Sequence, residues 1–408
     1  MLVAPLLSSC QREPKPEEPA ARAASADERV LAARAQESYA DLAYAIYSDA
    51  AESASSLLAE LDRFLAEPSE EGLKRARAAW VDARPWYQQS ETFRFCDGPI
   101  DRLETRINTW PIDESFVELG SAPGRPGIIE DARSYPQISA ALLDQLNMKE
   151  GETSVSTGYH VVEYLLWGRD TQANGPGDRS FQDYVVVDRR QGKARPIEGE
   201  PAPEPLAARR ARYLRVATEL LTRELGEVRD AWAPGIAENY RAQFLRLPST
   251  SALGLIIKGM GSLSGPELSG ERLTVPYETK DQENEHSCFS DTTNLDILND
   301  ALGIENVCLG RYRRRNGQLL RGTGVCEVIG LRDHALAARL ERELGASVAA
   351  ARRIPAPFDQ AIVGDDARPG RQAIQATIQA LQRQTTTLAQ VAALFDIRLS
   401  LADPRARR

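Results

Sequence analysis

Apolar residues recur at helical spacings through most of this chain, and this pattern limits the fold more than any other feature. Between Glu28 and Leu65 alanine is abundant and β-branched residues are few, so propensity agrees with periodicity. A second helix is expected to open at Pro68-Ser69-Glu70-Glu71 and to continue through Arg84. Further helices are expected near residues 129–147, 153–168, 206–247, 333–352 and 370–399. Strand-like patterning is confined to short pieces, such as Tyr184–Asp188 and Val325–Leu331, so the sequence predicts helical bundles.

Length predicts more than one domain. The 408 residues include about 380 beyond an irregular N-terminal segment, which is too many for one ordinary core. The segment 191–205 contains four prolines and several charges and is expected to be an exposed loop. We therefore expect one helical bundle over residues 28–190 and a second over residues 206–408.

The N-terminus resembles a bacterial lipoprotein signal. A short apolar run over residues 2–7 leads through two serines into Cys10, which would be lipid-modified after cleavage at residue 10, although the usual basic start is missing. Residues 11–27 have the composition of a flexible tether. We expect a protein anchored by lipid on the periplasmic face of the envelope, at the outer membrane. The alternative is a disordered N-terminus with an incidental cysteine.

Cysteine usage agrees with export, because Cys96, Cys288, Cys308 and Cys326 form an even set. Four cysteines allow three pairings. The favoured pairing joins Cys308 to Cys326 across a short glycine-containing loop and leaves Cys96 with Cys288. A thiolate metal site is the competing interpretation, but no CxxC spacing supports it. The net charge of −9 is well mixed and gives no basic stripe, so a nucleic-acid partner is not expected.

A metal site is suggested by the segment Gly158-Tyr159-His160-Val161-Val162-Glu163. Only three histidines occur in the chain, and His160 lies one helical turn before Glu163, so both side chains can face one object. Imidazole and carboxylate together suit iron, zinc or copper. The alternative is an amphipathic helix whose His160 and Glu163 face water.

Two other segments are dense in functional side chains. In the first, Trp80, Arg84, Tyr87 and Glu91 share one helical stripe, which Pro85 is expected to kink. An aromatic stripe alone is usually core, but charges on it are rarely buried without partners. The second is the acidic block of residues 280–294, which contains His286. A solvated acidic turn is the alternative there.

Taken together, these segments resemble the imelysin family, in its iron-regulated lipoprotein branch. The resemblance rests on the pattern WxxxRPWxQxxExFRFxxGPID from Trp80 to Asp101, on GxHxxE from Gly158 and on DQExEHSCFSDTT from Asp281. It implies an all-α fold of two four-helix-bundle-like domains with a functional site near their interface. It also implies an exported protein linked to iron acquisition, and the family is sometimes described as metallopeptidases.

The residues that match the family patterns form the expected site. The expected metal ligands are His160, Glu163, Glu91, Glu283, His286 and Asp291. The residues expected to support them or to hold an anionic chelator are Trp80, Arg84, Arg94, Asp101 and Gly158. We expect His160, Glu163 and Glu91 to lie close enough to share one ion.

Two functions follow from this set. In the first, the protein captures iron, as an ion or a small chelate, and passes it to a membrane importer; zinc and copper are alternative metals. In the second, a zinc ion activates water for peptide hydrolysis, with Glu91 or Glu283 as general base. The single histidine of the GxHxxE helix, against the two of HExxH, argues against the second.

Overall fold

The structure is a computed structural model that describes residues 25–95, 97–118, 126–172, 175–186 and 204–397. Predictions about Cys10, the leader, the tether up to residue 24, Cys96 and the loop up to residue 203 fall outside these ranges. Within them the protein is all-α, as the sequence predicted, with one short hairpin. None of the described helices has the length and apolar character needed to cross a membrane.

The first half of the described chain begins with two long helices that carry capping serines. Helix α1 begins after Ser25, whose hydroxyl accepts the Glu28 N–H, and α2 begins after Ser69, whose hydroxyl accepts the Gly72 N–H. The helices of this half are α1 (Ala26–Ala66), α2 (Glu70–Gln88), α3 (Pro99–Ile107), α4 (Glu114–Val117), α5 (Ala140–Leu146) and α6 (Tyr159–Trp167).

The second half contains longer helices and the hairpin. Its elements are α7 (Leu206–Ala231), α8 (Tyr240–Arg246), α9 (Ser249–Ser262), a π-helical segment (Leu263–Thr274), α10 (Val275–Thr279), α11 (Thr293–Leu309), β1 (Arg311–Arg313), β2 (Leu319–Arg321), α12 (Val325–Arg332), α13 (His334–Ala351), α14 (Phe358–Ile362) and α15 (Pro369–Leu394). Short 3₁₀ turns lie at Glu91–Phe93, Phe181–Tyr184 and Gln282–Asn284.

Helix boundaries differ from the predicted ones where turn residues intervene. Only Ala140–Leu146 is helical within the predicted 129–147, because Pro136 precedes it and the Ser139 hydroxyl caps its first turn. The predicted helix over 206–247 is two helices, since Pro234 and Gly235 interrupt it and Asn239 caps α8.

The predicted strand Val325–Leu331 is wrong: these residues lie in α12. Glu327 accepts the N–H of Gly324 at 2.9 Å, so the helix start is satisfied despite the β-branched residues that suggested a strand. Tyr184, the first residue of the other predicted strand, ends a 3₁₀ turn. The strands that do form, β1 and β2, pair antiparallel with Arg311 opposite Arg321.

The disulfide Cys308–Cys326 is confirmed, with its Cα atoms 5.1 Å apart. It closes the segment that contains the hairpin. Cys288 is a buried thiol with no disulfide partner among the described residues. Its predicted partner Cys96 lies outside those residues, so that pairing stays a prediction. Burial raises the pKa of the Cys288 thiol well above its usual value, and the surrounding carboxylates Glu163 and Glu283 add to this effect.

Helices from both halves share one hydrophobic core. Helix α1 packs against α2, α7 and α12, and α2 also packs against α11. The main apolar cluster extends from Ala32 to Ala392, and a smaller one between Leu268 and Leu381 lies beside the π-helical segment. This shared core brings α2, α6 and the chain before α11 together.

Candidate metal centre

His160 and His286 meet in the interior although 126 positions separate them in sequence. Their ring centroids are 4.8 Å apart with an interplanar angle of 69°, and both side chains are almost wholly buried. We call these two residues the histidine pair. Nδ1 of His160 lies 3.0 Å from Oε2 of Glu163, and Nδ1 of His286 lies 2.8 Å from Oδ2 of Asp296. Each imidazole therefore has its own carboxylate.

Helix α6 positions His160 from within the protein interior. Every residue from Tyr159 to Trp167 is buried, so His160 and Glu163 do not face water. Gly158 precedes the helix with φ of 92°, and a Cβ atom there would come within 2.7 Å of the Ile107 carbonyl oxygen. Only glycine fits such a conformation at so close an approach. Gly158 thus sets where the helix begins.

Glu163 is held on both of its oxygens. Oε1 accepts hydrogen bonds from the Ser290 N–H at 2.9 Å and from the Ser290 hydroxyl at 2.6 Å. Burial raises the pKa of Glu163 to about 8, against the lowering effect of Ser290 and Arg84. When Glu163 is ionised, above this pKa or opposite a bound cation, it accepts the Nδ1–H of His160 and leaves the lone pair on Nε2. When Glu163 is protonated, its O–H can donate to Nδ1 instead, and the His160 proton then lies on Nε2.

The histidine pair is neutral at ordinary pH. Burial and the neighbouring Arg84 hold the pKa of His160 well below its usual value. Burial and Arg272 lower the pKa of His286 to about 4, although Asp296 opposes this shift. Nε2 of His160 is buried and has no hydrogen-bond partner among the described residues. An unpaired, neutral imidazole nitrogen in a buried site is a suitable metal ligand.

Arg84 in α2 forms an ion pair with Asp296 in α11. Its guanidinium bonds Asp296 at 3.1 Å and donates to the Asn108 side-chain oxygen at 2.6 Å. Burial opposes ionisation of Asp296, but Arg84 and His286 outweigh it and hold the pKa of Asp296 below its usual value. The Arg84 guanidinium also lies over the rings of Tyr159 and Trp80, at 4.9 and 5.4 Å.

Trp80 supports the same helix start. Its indole N–H donates to the Tyr159 carbonyl at 3.0 Å, in the first turn of α6. Asp101 has a different place: its carboxylate accepts the N–H groups of Phe95 and Gly98 at 2.7 and 2.8 Å. It therefore caps α3 and fixes the preceding turn.

Glu91 belongs to an arginine network. Its Oε2 accepts from Arg94 at 2.7 Å and from Arg272 at 2.6 Å, and Arg272 also donates to Asp300 at 2.7 Å. Burial opposes ionisation of Glu91, but the two arginines hold its pKa below the usual value. The other carboxylate oxygen, Oε1, is buried and has no hydrogen-bond partner among the described residues. No hydrogen bond joins Glu91 to His160 or Glu163 in the described part of the chain, so the expected sharing of one ion by these three residues stays a prediction.

Glu283 and Asp291 make no hydrogen bond to either histidine in the described part of the chain. Glu283 lies in a 3₁₀ turn, where its N–H donates to Asp281. Burial, together with Asp359 and Asp170, raises the pKa of Asp291 to about 7. Across the described ranges no group of three or more His, Cys, Asp or Glu side chains is arranged to hold a metal ion.

A cleft of about 410 Å³ reaches His286, one member of the histidine pair. Its wall includes His286, Asn108 and Trp110, together with Arg94 and Arg272. Glu104, Glu152, Glu267 and Glu271 complete the charged part of the lining. The indole of Trp110 meets the ring of His286 edge to face, with centroids 5.8 Å apart. The centre is therefore buried but lies directly beside a space that a small molecule can occupy.

Sequence reasoning missed Asp296 and undervalued Asn108. Asp296 follows the DQExEHSCFSDTT block, and its position in the first turn of α11, ten residues after a scarce histidine, was the available signal. Asn108 lies beyond the end of the first family pattern, on the helix face of Asp101 and Glu104. Neither its bond to Arg84 nor its place in the cleft could be derived from spacing.

Known proteins resemble this chain over most of its length. The model of the family described as imelysin, peptidase family M75, matches residues 43–388. Iron-regulated protein A of Synechococcus elongatus is 23% identical over 357 residues, which cover 84% of this chain and 83% of that protein.

Two solved structures show the same fold. A protein named as an iron-regulated protein A precursor, from Parabacteroides distasonis, superposes with a TM-score of 0.69 at 18% identity and covers 92% of this chain and 98% of its own. An imelysin-like protein from Psychrobacter arcticum gives a TM-score of 0.62 at 13% identity and covers 93% and 99%.

Proposed function

The chain belongs to the imelysin family, and from that premise we propose that it captures iron through the histidine pair. The family and the relative named iron-regulated protein A support an iron-related role. Capture of the metal, and the residues that perform it, are the proposal.

One observation carries the proposal: each imidazole of the pair has its Nδ1 bonded to a buried carboxylate. Metal-ligating histidines almost always donate their other ring nitrogen in this way, which fixes the tautomer and raises the basicity of the ligating nitrogen. Nε2 of His160, the nitrogen that would bind, has no partner among the described residues. The donor set therefore fits a transition metal.

Within this proposal the roles of the acidic residues change from those expected. Glu163 and Asp296 orient His160 and His286, and they supply the negative charge that balances the cation. Arg84 keeps Asp296 ionised and in place. Glu91, tied to Arg94 and Arg272, braces the wall of the cleft.

The carboxylates of the cleft favour a cation as cargo. Glu104, Glu152, Glu267 and Glu271 outnumber the two arginines of the wall. Clefts lined by one sign of charge raise the local concentration of the opposite ion. Imidazole suits iron, zinc and copper alike, so the titration below compares metals.

The cellular setting is part of the same proposal. Lipid attached at Cys10 would hold the protein on the periplasmic face of the envelope, and the captured iron would pass to a membrane importer. The raised pKa of Glu163 suits such a carrier, because release of the metal can be coupled to uptake of a proton by this carboxyl group.

A zinc peptidase is less well supported. Catalytic zinc sites commonly use three protein ligands plus water, and the described residues contain no such group of three. Glu91, one expected general base, is neutralised by two guanidinium groups. A casein-cleavage assay with and without chelator tests this alternative: chelator-sensitive cleavage lost in His160→Ala would establish it.

The decisive experiment is metal titration of the full chain carrying Cys10→Ser, which removes the predicted site of lipid attachment. We expect one Fe(II) per chain in anaerobic calorimetry, and at least a hundredfold weaker binding in His160→Ala and in His286→Ala. His334→Ala is the matched control, because it removes the third histidine of the chain, which is exposed at the start of α13. Unchanged iron binding by both pair variants would refute the proposal.

A further inference from the structure

The cleft beside His286 has an excess of negative charge. The charged side chains of its lining are Glu104, Glu152, Glu267, Glu271, Arg94 and Arg272. Four carboxylates against two guanidinium groups leave an excess of two negative charges. Concave walls that carry one sign of charge concentrate ions of the opposite sign. The cleft therefore favours a cationic ligand.

The two arginines of the lining are already engaged by carboxylates of the interior. Arg94 donates to Glu91 at 2.7 Å, and Arg272 donates to Glu91 at 2.6 Å and to Asp300 at 2.7 Å. Their positive charge is balanced inside the protein, so little of it remains to neutralise the carboxylates that face the cleft.

Glu104 and Glu267 are the carboxylates left without a close partner. The Arg94 guanidinium lies 3.7 Å from Glu104 and 4.0 Å from Glu267, and no described residue donates a hydrogen bond to either carboxylate. Burial raises the pKa of Glu104, and Glu91 and Glu267 add to this effect, although Arg94 opposes it. Because both carboxylates approach one guanidinium, they are neighbours, and an ammonium group has enough donors to bridge them.

His286 supplies an independent, buried acceptor on the same wall. Its side chain is almost wholly buried, and Nδ1 lies 2.8 Å from Asp296, whose carboxylate Arg84 keeps ionised. Nδ1 therefore carries the proton, and Nε2 keeps its lone pair. Every hydrogen bond of this ring within the described ranges is made by Nδ1. Nε2 is thus an unpaired acceptor, and it calls for an N–H donor in the cleft.

The rest of the lining can hold a carbon chain. Trp110, Pro111 and Met148 line the cleft beside the charged residues. The volume of about 410 Å³ lies within the range of small-molecule pockets, roughly 300–1,000 Å³. A short aliphatic chain with an ammonium group at each end matches both the apolar and the acidic parts of this wall.

We propose that the cleft is a binding site for a small aliphatic diamine. One ammonium group lies between Glu104 and Glu267, and the other donates to Nε2 of His286. The carbon chain lies against Trp110 and Met148, and the two positive charges balance the excess negative charge of the wall. This inference goes beyond the proposed function and does not depend on it, because no metal takes part.

Calorimetric titration with cadaverine tests the inference. The protein is the metal-free full chain carrying Cys10→Ser, because a metal on Nε2 of His286 would exclude the amine. The uncharged diol of the same chain length is the matched ligand control.

The test variants are Glu104→Gln and Glu267→Gln, which remove one charge each and keep the side-chain shape. Glu114→Gln is their matched control. The Glu114 side chain is 15% exposed against 17% for Glu104, and it lies 3.9 Å from an arginine, but it does not line the cleft. Circular dichroism checks that each variant is folded.

We expect one cadaverine to bind per chain, with an affinity that falls as salt is added, and the diol not to bind. Each cleft variant should weaken cadaverine binding about tenfold or more, the effect of one hydrogen bond between charged groups. His286→Ala should weaken it as well, because the acceptor nitrogen is lost, and Glu114→Gln should leave it unchanged.

The inference would be overturned if cadaverine did not bind, if the diol bound equally well, or if Glu114→Gln had the same effect as the cleft variants. The proposed function would stand in each of these cases, since iron capture is measured without amine. Cadaverine binding by a protein that captures no iron would support the inference and refute only the proposed function.

Discussion

Glu163 shows how one buried carboxylate controls a neighbouring imidazole. Ser290 occupies its Oε1 with two hydrogen bonds, so only Oε2 is left to face Nδ1 of His160. The identity of the atom opposite Nδ1 then decides which ring nitrogen carries the proton. The chemistry of His160 is thus set by a residue that need not touch the metal.

Glu163→Gln should weaken iron binding by about 10–100-fold, the usual cost of removing such a partner. The amide can place its NH₂ group against Nδ1, which then accepts, and the proton moves to Nε2 and blocks it. Calorimetry measures the affinity, and nitrogen NMR of His160 reports the tautomer. Glu224→Gln is the control, because Glu224 is also a buried carboxylate but lies outside the centre. An unshifted tautomer would contradict this account.

Asp291→Asn should stabilise the protein at pH 8 and have little effect at pH 4. Burial, with Asp359 and Asp170, raises the folded-state pKa of Asp291 to about 7, so the folded state binds a proton more tightly than the unfolded state. Stability therefore falls as pH rises from about 4 to 7, and asparagine removes that loss. We expect a gain of about 1 kcal/mol at pH 8, measured by urea unfolding.

Asp396→Asn is the matched control for this substitution. Asp291 and Asp396 both have φ of 57°, a conformation that asparagine tolerates well, but Asp396 is exposed. A similar gain in both variants would assign the effect to the backbone instead of the buried charge.

At the residue scale, the residues of the candidate site were easier to predict than their hydrogen-bond partners. The scarcity of histidine and the family patterns pointed to His160, His286 and Arg84, and the structure brings these three together. The partner of each was not predictable, because hydrogen bonds such as Arg84 to Asp296 join positions 212 residues apart. Glu91 had the right residue type, but the two arginines that neutralise it could not be located from spacing.

Helix α6 is short and completely buried, so its placement depends on how its first residue packs. Gly158 approaches the carbonyl oxygens of Arg106 and Ile107 so closely that a Cβ would lie 2.8 and 2.7 Å from them. A residue larger than glycine therefore does not fit at position 158, where the start of α6 contacts the end of α3. The close contact between Gly158 and the end of α3 therefore fixes the position of His160.

Gly158→Ala should destabilise the fold by about 2 kcal/mol or more, because it adds both a steric clash and a strained positive φ. It should also weaken iron binding, since α6 must shift to relieve the clash. Gly226→Ala is the control: this glycine lies within α7, and an added Cβ would meet only the end of the Arg229 side chain at 3.9 Å, so alanine should raise stability by roughly 0.5–1 kcal/mol. Thermal unfolding and iron titration of both variants check the pair.

Among the elements, the long helices were predictable and the short ones were not. Ala26–Ala66 and Pro369–Leu394 carry many turns of consistent periodicity. The segment Val325–Arg332 is too short for its hydrophobic period to be recognised in the sequence. Its helical start is stabilised by the hydrogen bond from the Gly324 N–H to the Glu327 carboxylate. The hairpin of β1 and β2 has only three residues per strand, so alternation could not reveal it.

At the scale of the whole molecule, the candidate metal centre is formed by residues that are distant in sequence. His160 comes from the first half and His286 from the second, and Arg84 links α2 to α11 through Asp296. The two bundles expected from sequence remain a prediction, but their helices share one apolar core. A metal held by both histidines would therefore crosslink the two halves.

Iron should raise the melting temperature of the whole protein. At a free concentration one hundred times Kd, binding adds about 2.7 kcal/mol, which for a chain of this length corresponds to about 3 °C. Calorimetric scans with and without Fe(II) measure the shift. It should persist in His334→Ala and vanish in the double variant His160→Ala/His286→Ala. A shift in that double variant would place the metal elsewhere.

The edge-to-face contact of Trp110 with His286 gives the protein an internal optical probe. Iron quenches indole emission at short range, and this indole lies beside a nitrogen that we expect to hold the metal. Loading and unloading can therefore be followed in stopped flow without any attached dye. The difference between wild type and Trp110→Phe isolates the signal of one tryptophan out of five. The same side chain would therefore make the rate of iron release measurable.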